Sequence, residues 1–276
     1  MNLLINFNGT LTDPQTRLAT ASNRSLRYGD GIFETMYWDG QRIQNLEFHL
    51  DRLFHGLSVL QIDISGGFTR QFISDEIFRL CQNNALAIKA RIRLNVFREE
   101  GTVLLPQKNK PVFIIESAVF PEQNLTPLRL TIYEAERKST GILSNLKTNN
   151  YLLYILAIQY AKENNFDDAI VLNNKEKICE ASSSNIFMVH KGILYTPALA
   201  EGCVAGTKRR EILQILPSLG FRVEETMIQT ADLSEMEEVF LTNAIRGIRP
   251  VSYVNDRFYS QELTGILIRL MKGRKK

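Results

Sequence analysis

Residues 90–97 (ARIRLNVF) alternate without a break: Ile92, Leu94 and Val96 fall on one face, Arg91, Arg93 and Asn95 on the other. Successive side chains of an extended chain point to opposite faces, so this run reads as a half-buried β-strand. Hairpin signals surround it. Asn8-Gly9 follows the apolar run 2–7 (NLLINF), and Asp39-Gly40 follows the aromatic and branched run Ile32 to Trp38. Such dipeptides accept the positive φ angles of a tight turn, so each marks a chain reversal, the second returning through Arg42-Ile43. Gly29 and Gly31 bracket Asp30 in a compact turn. Leu46, Leu50, Leu53 and Leu57 recur at helical spacing, which predicts a helix over 46–60; Phe72, Ile73, Ile77, Leu80 and Cys81 predict a second over 69–83. A polar connector fills the chain from the first turn to about Asn23. Pro111 to Val119 is a further strand.

Pro121 to Pro127 (PEQNLTP) reads as a linker and a domain boundary. Strand character resumes over 128–133. A helix capped by Asn149 or Asn150 runs to about Asn164, followed by strands at 168–172, 178–189, 193–195 and 238–242. A glycine-bearing loop from Gly202 leads into a helix at Thr207 or Lys208, TADLSE (230–235) is a helix-start pattern, and a last helix spans 260–271. Regular βαβ alternation is lacking. The expected fold is therefore α+β, with a smaller N-terminal α+β domain at 1–120 and a larger C-terminal domain at 121–276.

Charge and cysteine usage narrow the function. The formal net charge of +3 is small and partly a basic tail, Lys272, Arg274, Lys275 and Lys276. No basic stripe with interleaved aromatics accompanies it, so no nucleic-acid partner is expected. Cys81, Cys179 and Cys203 are odd in number and lack CxxC spacing; buried, reduced thiols of a cytoplasmic protein are the reading. MNLLINFNGT lacks the cationic start of a signal peptide, and no apolar run reaches membrane-spanning length. His49, His55 and His190 offer no metal-ligand spacing, so no metal is expected.

Three features carry possible chemistry. Lys147 lies in GILSNLKTNNYLLYILA, just ahead of an apolar run; such a lysine is either a snorkelling surface residue or a chemically used amine. In GCVAGTKRR, Gly206 permits close backbone approach, and the Thr207 and Lys208 amides open a helix, whose N-terminus suits a phosphate. Glu180 sits in an apolar strand setting where a carboxylate needs a partner. GxxxxGK[ST], a GxGxxG after a strand and GxSxG are all absent, against a P-loop enzyme, a Rossmann enzyme or an elbow hydrolase.

YGDGIFE, HLDRL, LKTNNYL, DDAIVLN…ICEASSSNIF, YTP…GCVAGTKR and EVFLTNAIRGIRPV then occur in one order and spacing. Together they resemble the class-IV, fold-type-IV enzymes that use pyridoxal 5′-phosphate, a family that includes branched-chain and D-amino-acid aminotransferases and aminodeoxychorismate lyase. The resemblance covers nearly the whole chain and implies the two-domain fold of that family. It implies that Lys147 carries the cofactor and shuttles the substrate proton, that Glu180 faces the pyridine nitrogen, and that Arg52 of HLDRL binds the phosphate with Gly206, Thr207, Lys208, Asn243 and Ala244. Asn185 and Tyr151 fall at pocket positions, and Tyr28, Phe33, Arg91 and Arg93 are candidates on the substrate side, the arginines as carboxylate clamps if their face of the strand lines a cleft and as a solvated face otherwise. The family's usual G-I-T-R is here Gly206-Thr207-Lys208-Arg209, so the threonine side chain is absent from its usual position in the phosphate motif. TNAI (Thr242 to Ile245) is closer to the lyases, yet Phe97 to Leu105 matches neither the lyase nor the branched-chain aminotransferase pattern. The resemblance thus implies an aminotransferase first and 4-amino-4-deoxychorismate lyase second, acting on a small amino-acid-like molecule as a homodimer.

Overall fold

A computed structural model of the chain describes residues 3–120 and 126–273. The chain divides into two compact units, one of residues 1–122 with 146–150, the other of residues 123–145 with 151–276.

In the first unit, β1 (Ile5–Phe7) and β2 (Thr10–Thr12) form the expected hairpin, Asn8 and Gly9 taking φ of 49° and 87°. Asn23 then caps α1 (Arg24–Tyr28) through its side chain. β3 (Gly31–Trp38), α2 (Leu46–Val59), α3 (Arg70–Asn83, capped by Thr69), β4 (Ala90–Arg98) and β5 (Pro111–Val119) follow. Among the described residues the strands form an antiparallel sheet in the order β2-β1-β5-β4-β3. Ile92, Leu94 and Val96 of β4 share one core with Leu50, Leu53 and Leu57 of α2 and Ile73, Ile77 and Leu80 of α3, as the alternation and helical spacing require.

β3 lies at the end of this sheet, and the segment 146–150 pairs with it. Phe33 N donates to Lys147 O (2.8 Å), Asn149 N donates to Gly31 O (3.0 Å), and Ile32 bridges Thr148. Lys147 is therefore held by main-chain hydrogen bonds to a strand over 100 residues earlier.

The second unit comprises β6 (Leu128–Lys138), α4 (Leu152–Glu163), β7 (Asp168–Asn173), β8 (Ile178–Ala181), β9 (Asn185–His190), β10 (Ile193–Pro197), α5 (Thr207–Ile215), β11 (Val223–Thr226), β12 (Glu238–Asn243), β13 (Gly247–Val254), β14 (Arg257–Phe258) and α6 (Glu262–Gly273). Among the described residues its strands run in the order β11-β10-β9-β12-β13-β6-β7-β8, with β14 on β13. The sheet is mixed: β10 with β11, β13 with β6 and β6 with β7 are parallel. Tyr154, Ala157 and Ala161 of α4 pack against Tyr133, Ala169 and Val171.

Several expectations are corrected. The connector before Asn23 contains β2. The return from Asp39-Gly40 is a single bridge, Trp38 to Ile43, because α2 begins at Leu46. Neither Asn149 nor Asn150 caps α4; Tyr151 holds that position without a side-chain cap bond. The run 178–189 is two strands, and TADLSE forms a short 3-10 turn in which Gln229 and Asp232 make a reciprocal capping box. The linker residues 121–125 and the side chains of the basic tail lie outside the described residues.

Candidate active site

In the first unit the site residues gather on β3, α2, β4 and the 146–150 segment. Glu34, buried in β3, meets two side chains from α2. Arg52 donates from Nε to Oε1 (2.7 Å) and from Nη2 to Oε2 (2.6 Å), and His49 Nδ1 lies 2.6 Å from Oε2. His49 and Arg52 are three apart on the helix, so one face carries both. Burial alone would raise the Glu34 pKa, but the Arg52 charge and the His49 hydrogen bond outweigh it and hold it at about 2. Burial lowers the His49 pKa, with the Glu34 carboxylate opposing. An ionised carboxylate only accepts, so the neutral imidazole carries its proton on Nδ1.

Phe33, the neighbour of Glu34, faces the other way. Lys147 Nζ lies 4.2 Å from its ring centroid and Arg93 Cζ 3.9 Å, both within cation–π range. Arg91 stays exposed on the same face of β4 as the half-buried Arg93. Tyr28 lies under the Arg24 guanidinium and donates to Thr102 O (3.1 Å). Asn149 Nδ2 donates to Ser25 Oγ (2.8 Å) and Asn95 Oδ1 (3.0 Å), tying the lysine segment to α1 and β4.

In the second unit the residues gather around Glu180 and the start of α5. Glu180 is 3% exposed. Its Oε1 accepts from Lys138 Nζ (2.5 Å) and Tyr154 OH (2.7 Å), and its Oε2 from Val204 N (3.0 Å). Tyr151 stacks at a tilt on Tyr154, 4.5 Å between centroids. Asn185 Nδ2 donates to Val204 O (2.8 Å), fixing the approach to Gly206, where a Cβ would overlap Asn185 Oδ1. Gly206 is the N-cap residue of α5. The Lys208 ammonium turns back to Glu211 (2.5 Å) on its own helix, and Arg209 bonds Pro197 O and Glu225. Asn243 donates to Ser184 Oγ (3.0 Å) and accepts from Ile245 N and Arg246 N, so its side chain shapes the turn that holds Ala244. Thr242, opposite Asn185 in the ladder, buries a hydroxyl that has no partner.

Burial, with the Glu180 charge adding to it, pushes the Cys203 thiol up to about 12 and raises Cys179 as well; burial alone takes Cys81 to about 12. None is a thiolate at neutral pH.

Taken unit by unit, the side chains have the chemistry that a phosphorylated pyridine aldehyde calls for: in the first, an amine on an aromatic face and a guanidinium clamped by a buried carboxylate; in the second, a helix start with a glycine at its N-cap, a buried carboxylate and a buried hydroxyl, of Thr242, without a partner. Sequence reasoning missed Glu34, His49, Lys138 and Tyr154. A carboxylate inside the apolar run of β3, with His49 and Arg52 at i, i+3, was a readable signal for the first two. Lys138 and Tyr154 reach Glu180 from 42 and 26 residues away and leave no local mark.

Residues 31–254 match the family model described as amino-transferase class IV. A putative branched-chain-amino-acid aminotransferase of Methanocaldococcus jannaschii is 29% identical over 97% of this chain and 93% of its own. Among solved structures, 4-amino-4-deoxychorismate lyase from Pseudomonas aeruginosa superposes with a TM-score of 0.87 at 28% identity, covering 99% of both chains. The branched-chain aminotransferase from Thermoproteus uzoniensis, solved with norvaline, gives 0.90 at 24% identity over 99% and 96%. A T.th. branched-chain amino acid aminotransferase solved with pyridoxamine 5′-phosphate gives 0.88 at 21% over 100% and 96%. The fold is that of these fold-type IV enzymes.

Proposed function

This chain belongs to the amino-transferase class IV family, and from that premise we propose that it moves an amino group between a branched-chain-like amino acid and a 2-oxo acid. It is a pyridoxal 5′-phosphate enzyme. The observation that carries the reading is the Phe33 ring, which bears the Lys147 amine and the Arg93 guanidinium together. A proton-moving amine beside a carboxylate-binding cation is what an amino-acid substrate requires.

When bound, the cofactor supplies the electron sink. Lys147 would hold it through Nζ, and the same amine, once free, would move the proton of the substrate's Cα. Arg52, oriented by Glu34, serves the phosphate with the Gly206, Thr207 and Lys208 amides; Asn243 and Ala244 complete that motif. Glu180 keeps negative charge at the ring nitrogen, Asn185 and Tyr151 line the pocket, and Tyr28, Phe33, Arg91 and Arg93 serve the substrate. We place this chemistry on two domains, 1–120 and 121–276, the latter carrying most of the cofactor's ligands along the chain, although the Lys147 segment, 146–150, groups with the first unit. We also propose a homodimer, and a cytoplasmic setting consistent with three buried free thiols. Among the described residues no helix is long and apolar enough to cross a membrane.

The second reading, 4-amino-4-deoxychorismate lyase, is favoured by Asn243 within TNAI and by the likeness to the Pseudomonas aeruginosa lyase. The same proton removal would there expel a leaving group. A paired assay separates them. Leucine or D-alanine with 2-oxoglutarate should yield glutamate; release of pyruvate and 4-aminobenzoate from aminodeoxychorismate with no glutamate formed would replace the first reading by the second. Lys147→Ala should abolish both activities and the visible colour of the loaded protein, and an active variant would overturn both readings.

A further inference from the structure

Glu180 holds three donors, and they divide unevenly. Oε1 takes Lys138 Nζ and Tyr154 OH, which fill both of its lone pairs, whereas Oε2 takes only the Val204 amide. The remaining acceptor capacity of the carboxylate is therefore on Oε2. The three side chains close on one another, since Lys138 Nζ also lies 5.4 Å from the Tyr154 ring centroid. They come from separate elements, Lys138 from the end of β6, Tyr154 from the first turn of α4 and Glu180 from β8. Glu180 also adds to the raised pKa of the Cys179 and Cys203 thiols, both neutral. Lys138 is a cation in direct contact with it.

An ammonium and a hydroxyl on one oxygen stabilise the charge of the carboxylate through charge-assisted hydrogen bonds and fix its orientation. A base brought against the other oxygen then faces an anion aimed at it and keeps its proton. Without the ammonium, the buried charge loses its partner in a poorly solvated site, which favours a neutral pair. We propose that Lys138 and Tyr154 are positioning residues that hold the Glu180 carboxylate through Oε1 and aim Oε2, so that the proton shared with the cofactor's pyridine nitrogen resides on the nitrogen. The proposal rests on the reading that Glu180 serves that nitrogen.

The test loads the full-length protein with pyridoxal 5′-phosphate labelled with 15N in the ring and records the nitrogen resonance at neutral pH. Wild type and Lys138→Arg should show a protonated nitrogen. Lys138→Met should move the resonance toward the unprotonated position, and Tyr154→Phe should move it in the same direction by less. A Lys138→Met resonance at the wild-type position, with Glu180→Gln displaced, would overturn the proposal and leave the Glu180 reading standing. A Glu180→Gln resonance at the wild-type position would remove that reading and this proposal with it. If Lys138→Met does not fold, Tyr154→Phe decides: a displaced resonance supports the proposal and an unmoved one overturns it.

Discussion

Single side chains in this protein are strongly shaped by what desolvates them, and Glu34 is the clearest case. Its carboxyl is buried, yet its pKa is about 2 in place of the ordinary 4.5, because Arg52 and His49 stabilise the charged form more than burial opposes it. A lowered folded-state pKa contributes stability above the unfolded value and loses it as the pH falls through the folded one. The contribution should therefore be complete above pH 4.5 and vanish toward pH 2. Glu34→Gln removes it and leaves Arg52 buried without its partner, an expected loss of about 3–5 kcal/mol at neutral pH. Urea unfolding of both proteins as a function of pH checks this. The difference between them should shrink as the pH is lowered from 4.5 toward 2; a constant difference would mean that Glu34 is not held as an ion. The same variant should weaken phosphate-bearing cofactor more than it weakens dephosphorylated pyridoxal, since Arg52 is the group it releases.

Elements follow from local pattern wherever pattern is long enough. The unbroken alternation of Arg91 to Val96 and the leucine spacing of α2 put those segments where the core needed them. α1 has five residues, too few for a period to show. β13 was not legible because Pro250 interrupts it; the strand pairs with β12 through Pro250, and its pairing with β6 begins only at Val251. β11 (VEET) offers three polar residues in four and sits at the sheet edge. Gly31 marks where three elements press together: a Cβ there would lie 2.6 Å from Asn149 Nδ2, 2.7 Å from Val96 O and 2.8 Å from Phe97 Cβ. A main-chain carbonyl cannot swing aside. Gly31→Ala is expected to cost about 1–3 kcal/mol in urea unfolding and to loosen the Lys147 segment. Hydrogen exchange at the amides of Phe33 and Asn149 should accelerate, and unchanged protection there would contradict the pairing described.

At the scale of the molecule, α4 raises the question of assembly. Its inner face is Tyr154, Ala157 and Ala161, but Leu152, Ile155, Leu156 and Tyr160 on the other face are exposed, Leu152 by 75%. An apolar stripe at helical spacing left in water marks an interaction surface. Light scattering is expected to give twice the chain mass of 31.6 kDa, and Ile155→Glu with Leu156→Glu to shift the protein toward the monomer. A monomeric wild type would refute the dimer.

The sequence by itself determined the family, the cofactor and the chemistry on offer, because those are written in short motifs whose members are neighbours in the chain: LKTNNYL, ICEASSSNIF, GCVAGTKR. It also determined the strands and helices whose apolar periods run for eight residues or more. Only the tertiary structure decided which partners those motif residues have. Lys147 is held on β3 by main-chain pairing, Arg52 by Glu34, and Glu180 by Lys138 and Tyr154. Each of these contacts joins separate elements, and whether such groups meet is set by strand order and helix docking. No spacing along the chain encodes it.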